Sequence, residues 1–217
     1  MTFDAGYALE ILPRLLQATV VTVEATIGGM AVALVGGLLL ALLRLSGNRV
    51  LGAIAVGIME FVRGTPLLIQ LFFLFYVLPL YGFKADPLFT GIIGLGIHYS
   101  AYTAEVYRAG VESVARGQWE AAIALNLSTA QTWRRIVLPQ AIPPVIPVLG
   151  NYLIGMFKET PLLATITVLE LLGTAQAEAA TTYRYFEPYT LVGLIFLALS
   201  YPSAQLVKRL EARRATR

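Results

Sequence analysis

The chain has 217 residues, of which 57% are hydrophobic and 13% charged, with a mean hydropathy of +0.71 and a formal net charge of +3. Soluble domains run at about 45–50% apolar and about 25% charged, so there are too few charges to clothe a water-facing surface, and the class is integral membrane. The absence of cysteine excludes disulfides and thiolate metal sites and leaves the redox compartment open.

The opening MTFDAGYALEIL carries Asp4 and Glu10 and has no basic n-region, so a cleaved signal peptide is not expected. A helix needs roughly 20 mainly apolar residues to cross the hydrocarbon core. Stretches 19–43, 65–81, 87–107 and 188–207 meet that need, and so does 139–159. This last one is irregular, with Pro139, Pro143, Pro144, Pro147 and Gly150 close together. Proline removes a donor and clashes with the preceding turn, and such backbone is tolerated at membrane depth only inside protein or beside a cavity. That helix is therefore expected to face the interior. Residues 161–172 form a shorter apolar run, read as the start of an interfacial or re-entrant segment over 161–185.

Sidedness agrees with that reading. With five spans, one side collects Arg44, Arg49, Arg108, Arg116, Arg134, Arg135, Lys208, Arg209, Arg213, Arg214 and Arg217. The other side holds Arg14, Lys84 and Arg184, with Lys158 at a helix end. A sixth crossing at 161–172 would split the basic tail from the basic central loop, against the positive-inside rule. The expectation is a single all-α membrane domain over 1–217, with five transmembrane helices, the amino terminus out and the carboxyl terminus in.

Between the third and fourth spans lies a polar, basic stretch over 112–138, which this topology places in the cytoplasm. Residues 116–125 have helical patterning, and Asn126 stands where a helix C-terminal left-handed residue belongs. Ser128 and Gln131 have the spacing of a capping box, so a second helix is expected from Ser128 to just before Pro139. On spacing alone two readings stay open: a helix pair presented to a protein partner, or an amphipathic pair lying on anionic lipid with Arg134 and Arg135 at the headgroups.

Within this loop EAAIALN is followed by nine residues and then IVLP. Glu120, Ala121, Ala122, Ile136, Leu138 and Pro139 thereby resemble, at the same spacing, the "EAA" loop of permease subunits of type I ATP-binding-cassette importers. The family's glycine is replaced here by Asn126. EFVRGTPLLIQL (60–71), HYSAYTAEVYRAGVESV (98–114), LGNYLIGMFKETPLL (149–163) and TYRYFEPY (182–189) are similar to the branch that takes up polar amino acids. The resemblance covers nearly the whole chain and implies a prokaryotic plasma-membrane permease working as a homodimer or heterodimer. It also implies two copies of a cytoplasmic ATPase docked on the EAA loop, and an extracytoplasmic amino-acid-binding protein. Trp119, Glu120, Ala121, Ala122, Ile123 and Asn126 are the residues expected at that docking, with Trp119 or Ile123 as anchor. The sequence has no G-x-x-x-x-G-K-[ST] phosphate loop, so no cofactor is expected on this chain, and ATP and magnesium are expected on the ATPase.

Polar side chains at membrane depth are functional hypotheses by default. Glu60 with Arg63 and Glu105 with Arg108 have the spacing of local ion pairs, and Glu24 has no such explanation. His98 falls roughly 15 Å into the third span. Lys158 and Glu159 could neutralise the carboxylate and ammonium of an amino acid, or snorkel to the interface instead. Thr65, Gln70, His98, Tyr99, Ser100, Asn151, Met156, Lys158 and Glu159 are the expected substrate-pathway residues, although Gln70 and Asn151 could equally be interhelical hydrogen bonds. Gly28, Gly29, Gly36 and Gly37 read as close-packing positions. No catalytic or metal-ligating set and no nucleic-acid site is expected. An ion-gradient-driven transporter or channel and a non-transporting membrane scaffold are the alternatives.

Overall fold

The computed structural model describes residues 3–215, and every regular element among them is a helix. Arg217, and the side chains of Arg213 and Arg214, lie outside the described residues. Helix α1 runs from Ala5 to Leu45, started by the Asp4 side chain accepting from the Tyr7 amide. At 1.5 Å per residue it is about 60 Å long, far more than the hydrocarbon core is thick. Its first turns pack through Ile11 and Leu15 against Leu171, Ala175 and Val192.

Helix α2 (Arg49–Gly64), capped by Asn48, precedes the stretch expected as span two. The chain then bends by 102° into α3 (Leu67–Phe72), which continues as a π turn (Phe73–Val77) and a 3-10 turn (Leu78–Tyr81). The helix is broken here because Pro66 offers no N–H and Thr65 before it is extended at φ −111°, ψ 137°. Helix α4 (Pro87–Glu112) starts at the Asp86 cap and runs parallel to α1. Their contacts rise in step, Gly28 on Ile92, Gly29 on Leu95, Gly36 on Ser100 and Gly37 on Thr103.

Three helical stretches are long and apolar enough to cross a membrane, namely Ala5–Leu45, Thr129–Ile166 and Phe186–Arg209, with the bent pair making a fourth. Helix α4 is not among them. It carries His98, Ser100, Thr103, Glu105 and Arg108, and the first three of these are buried, so its polarity is turned inward. Thr103 Oγ1, for instance, donates to Ala33 O at 2.8 Å.

Between α4 and the rest lie α5 (Arg116–Ala124) and α6 (Thr129–Thr132). The second loop helix does not stop before Pro139, as expected from the sequence. A π turn (Trp133–Val137) leads directly into α7 (Leu138–Glu159). The wide turn closes with the Leu138 amide on Trp133 O, and it places Pro139 in the first turn of α7, where a missing N–H costs nothing. A 3-10 segment (Thr160–Ile166), α8 (Leu171–Thr182) and α9 (Phe186–Ala215) complete the chain. At 12 residues α8 spans about 18 Å, too short to cross. Helix α7 lies antiparallel to both neighbours: Gly110 of α4 meets Ala141 and Val145, while Gly155 meets Tyr99. On the other side Gly150 meets Val207 of α9, and Phe157 meets Phe196.

The α1–α4 seam leaves no room for a side chain at Gly37, where a Cβ would meet Thr103 Oγ1 and, at 2.9 Å, the amide nitrogen of Ala104. Gly37→Ala is expected to destabilise the fold by about 1–3 kcal/mol, read as a lower melting temperature in detergent. Gly57→Ala, where a Cβ faces open space, is the control and should not lower it. Equal melting of the two variants would contradict the seam.

Candidate functional site

Two zones collect the polar and exposed groups that the fold does not consume. The first is the loop after α4. Leu125 caps α5, and Asn126 follows with φ 51°. The Asn126 amide donates to Ile123 O at 2.9 Å and the Leu127 amide to Ala122 O at 3.0 Å. This pair of bonds is a Schellman closure, which needs a left-handed residue and accepts Asn where glycine is usual. Ser128 and Gln131 then form a reciprocal capping box, with Gln131 N donating to Ser128 Oγ at 3.3 Å and Ser128 N to Gln131 Oε1 at 2.9 Å.

The expected docking residues divide between two faces. Trp119 is half-buried, edge-on to Trp133 with ring centroids 5.6 Å apart, over a small core of Val114, Val137 and Ala141. Ala122 is fully buried at 0% exposure. Neither is available as an outward anchor, because Trp119 fastens the loop to the ends of α4 and α7 and Ala122 has no exposed surface. Exposed around the rest of the helix end are Ala121, Ile123 at 75% and Leu125 at 70%. Glu120 is exposed and paired with Arg116 at 3.1 Å, and Asn126 is exposed at the turn. Leu125 was missed from sequence because the motif's spacing draws attention to Glu120–Ala122.

Beyond this loop, ion pairs gather at the C-terminal ends of α1, α2 and α4. Glu60 pairs with Arg63, and Glu105 with Arg108, as the spacing predicts. Arg108 also binds Glu112, and Arg44 of α1 reaches Glu105 at 2.7 Å, a link across helices that local spacing cannot reveal.

The second zone runs through the interior. Thr65 lies at the break of the bent pair, and Gln70 Nε2 donates to Thr65 Oγ1 at 2.7 Å. Gln70 Oε1 faces His98 Nδ1 at 3.2 Å, and the His98 ring stands 5.7 Å from that of Tyr99. Tyr99 OH donates to Glu159 at 3.0 Å. Thr65, Gln70, His98, Tyr99 and Glu159 therefore form one contact chain. Lys158 is exposed beside Glu159 and makes no ion pair among the described residues.

The other expected pathway residues lie elsewhere. Ser100 is buried with Oγ donating to Gly96 O at 2.7 Å, against Gly36 in the α1–α4 seam. Met156 is fully buried beside Gly29. Asn151 is exposed and donates to Glu211 of α9 at 3.1 Å. Conversely, Tyr102 and Tyr152 join Tyr99 in a triangle with centroids about 6 Å apart (6.0, 6.0 and 5.9 Å), a cluster sequence reasoning overlooked. The i, i+3 spacing of Tyr99 and Tyr102 was its available signal.

Two further polar groups belong to the scaffold. Glu170 is fully buried and caps α8, accepting from Gly173 N at 2.7 Å, while Thr22 Oγ1 of α1 accepts from Leu171 N at 3.1 Å. At the start of α1, Asp4 pairs with Arg184 at 3.0 Å, and its amide donates to Glu187 at 2.9 Å. The Tyr7 amide and the Arg184 guanidinium hold the Asp4 carboxyl below the usual carboxylate range.

Residues 33–216 match the family described as "Binding-protein-dependent transport system inner membrane component". The chain is 44% identical to a probable amino-acid ABC transporter permease protein of Sinorhizobium fredii, over 95% of this chain and 92% of that one. It is 34% identical to the nopaline transport system permease protein of Agrobacterium fabrum, over 94% and 89% of the two chains. Against the glutamine transport system permease protein of Escherichia coli the identity is 32%, over 98% of each. A crystal structure of an amino acid ABC transporter with histidines superposes with a TM-score of 0.91 at 33% identity, covering 98% of this chain and all of that one.

Proposed function

This chain belongs to the binding-protein-dependent transport system inner membrane components, as an amino-acid ABC transporter permease, and from that premise we propose how it works. It lines the path for a polar amino acid as one half of a permease dimer. It crosses the membrane five times, amino terminus out, through α1, the bent α2–α3 pair, α4, α7 and α9, with α8 re-entrant. The parallel run of α1 and α4 and the antiparallel packing of α7 against α4 and α9 support this order. The basic ends of α1 and α9 and the loop of α5 and α6 then lie in the cytoplasm.

The loop geometry carries the coupling assignment. A short helix closed by a Schellman turn, bolted down by Trp119 and Trp133, presents Ala121, Ile123 and Leu125 outward. An amphipathic pair resting on lipid has no use for a rigid, doubly capped turn, whereas an ATPase pushing on the permease needs a stiff lever. ATP and magnesium belong to two copies of that ATPase, and a binding protein delivers the substrate from outside. The relatives named for nopaline and glutamine support a cargo among amino acids and their derivatives. The pathway centres on Thr65, His98, Tyr99, Lys158 and Glu159.

Reconstituting the permease with its ATPase and binding protein in proteoliposomes tests this directly. Uptake is expected to require ATP hydrolysis inside and the binding protein outside. Uptake driven by an ion gradient without ATP would assign a secondary transporter, and none under either condition would assign a scaffold.

A further inference from the structure

We infer that Gln70 is the clamp that holds the second crossing bent, and so is a positioning residue for the pathway, not a substrate ligand. In an unbroken helix the carbonyl of Val62 would receive the amide of residue 66. Residue 66 is proline, which has none to give. The Gln70 side chain, one turn into α3, reaches back and supplies the missing donor, with Nε2 2.8 Å from Val62 O. The same nitrogen lies 3.1 Å from Thr65 O and 2.7 Å from Thr65 Oγ1, at the centre of the break. Thr65 in turn donates its hydroxyl to Phe61 O at 3.0 Å, closing the end of α2.

The Thr65 hydroxyl also reaches Val62 O, but at 3.3 Å and shared with Phe61 O, so Gln70 supplies the shorter bond. The elbow opens on a cavity of about 270 Å³ whose walls include Phe61, Ile69, Phe73, Leu74 and Ile97. Thr65 and Gln70 are the polar residues of that lining, and a carbonyl left bare in such apolar surroundings is costly. A broken helix is tolerated at membrane depth only where its freed backbone groups are satisfied again.

The other end of the amide is also engaged. With Nε2 committed to three oxygens, Oε1 must be the atom that meets His98 Nδ1, which therefore carries the proton and donates. That bond pins the elbow to α4, the helix that carries Tyr99 and the inner ion pairs. Gln70 thus has no donor left for a substrate unless the bend opens, and its oxygen is already turned to His98. Its effect on uptake rests on the transport function proposed above, whereas its hold on the elbow does not.

The chain has no cysteine, so a pair of introduced ones reports alone. Spin labels at Ile58→Cys on α2 and Phe73→Cys beyond the break, both exposed, measure the elbow by double electron–electron resonance in the assembled transporter. One narrow distance within the chain is expected for the native sequence, with the distances between copies of a homodimer removed by diluting labelled with unlabelled permease. Gln70→Met preserves length without donors, and Gln70→Glu preserves shape while turning charge against three oxygens. Both are expected to broaden that distance and to lower the maximal uptake rate about tenfold or more, with KM changed less than about twofold. Circular dichroism of each variant confirms that the helices are formed. A narrow, unchanged distance in both variants would overturn the clamp, and a raised KM beside it would make Gln70 a ligand. A broadened distance with native uptake would refute the positioning role. Should the native assembly not transport, the distance measurement still decides whether Gln70 holds the elbow.

Discussion

Replacing Ile123 and Leu125 together by glutamate is expected to detach the ATPase from the permease while leaving the membrane fold intact. Both side chains are large, apolar and about three-quarters exposed (75% and 70%) on a loop otherwise dominated by polar and basic groups. They lie on either side of the final turn of α5, and Leu125 follows one turn after exposed Ala121, where a small side chain permits close approach. Anchors of this kind are worth about 2 kcal/mol or more each. Two of them therefore amount to about a thousandfold in affinity, since every 1.4 kcal/mol is about a factor of ten. Burying two new carboxylates in the docking groove adds to that loss. Neither substitution touches the Trp119–Trp133 brace or the Val114, Val137 and Ala141 core beneath it.

The measurements are co-purification of the ATPase and ATP-driven uptake, with thermal melting as the control for folding. Trp119→Ala makes the contrast. It should lower the melting temperature, because it empties one side of an internal brace, and it should weaken docking only through the looser loop. If the double glutamate variant keeps its ATPase and its uptake, the outward face of α5 is not the docking surface.

How far these two zones could be read from residues alone depends on the range of the interactions that make them. The Asn126 turn and the Ser128 cap are local, each spanning three to five residues, so composition and spacing expose them. The ion pairs of Glu60 and Glu105 within their own helices are legible for the same reason. What escapes is the direction each side chain faces. Ala121 and Ala122 are identical in type and adjacent in sequence, yet one is exposed and the other buried, because adjacent residues point about 100° apart around a helix and only one of them faces the protein. Arg44 and Glu105 are brought together by parallel packing of α1 and α4, which no window along the chain contains. Pro139 shows the opposite failure, where a sound local rule is overridden by a π turn that seats the proline harmlessly in a first turn. Ser100 and Met156 were reasonable pathway residues by type, but the glycines of α1 draw that side of α4 and α7 into the seam.

The Lys158–Glu159 pair is where substrate charge is expected to be felt, and the two residues should fail in different ways. Lys158 ends α7 exposed and free of any described ion pair, as a group awaiting a carboxylate would be. A hydrogen bond to a charged group is worth about 1.5–3 kcal/mol, so Lys158→Ala should raise KM by about tenfold to a hundredfold. Glu159 has a second duty, since it accepts the Tyr99 hydroxyl at 3.0 Å, and that tyrosine is almost wholly buried at 7% exposure. Glu159→Ala therefore removes a charge and also strands a buried phenol, so it should lower both uptake and thermal stability. Glu159→Gln separates the two duties. An amide oxygen still accepts from Tyr99 and keeps the fold, while the lost charge should cost uptake as much as the alanine does. Tyr99→Phe supplies the reverse, leaving the carboxylate charged, so uptake should suffer less than with Glu159→Gln. Binding-protein-stimulated ATP hydrolysis shows in each case that the assembly is whole. If Lys158→Ala and Glu159→Gln both take up substrate as the native protein does, with that stimulation intact, the pair lies off the pathway and snorkelling at the membrane surface explains the lysine.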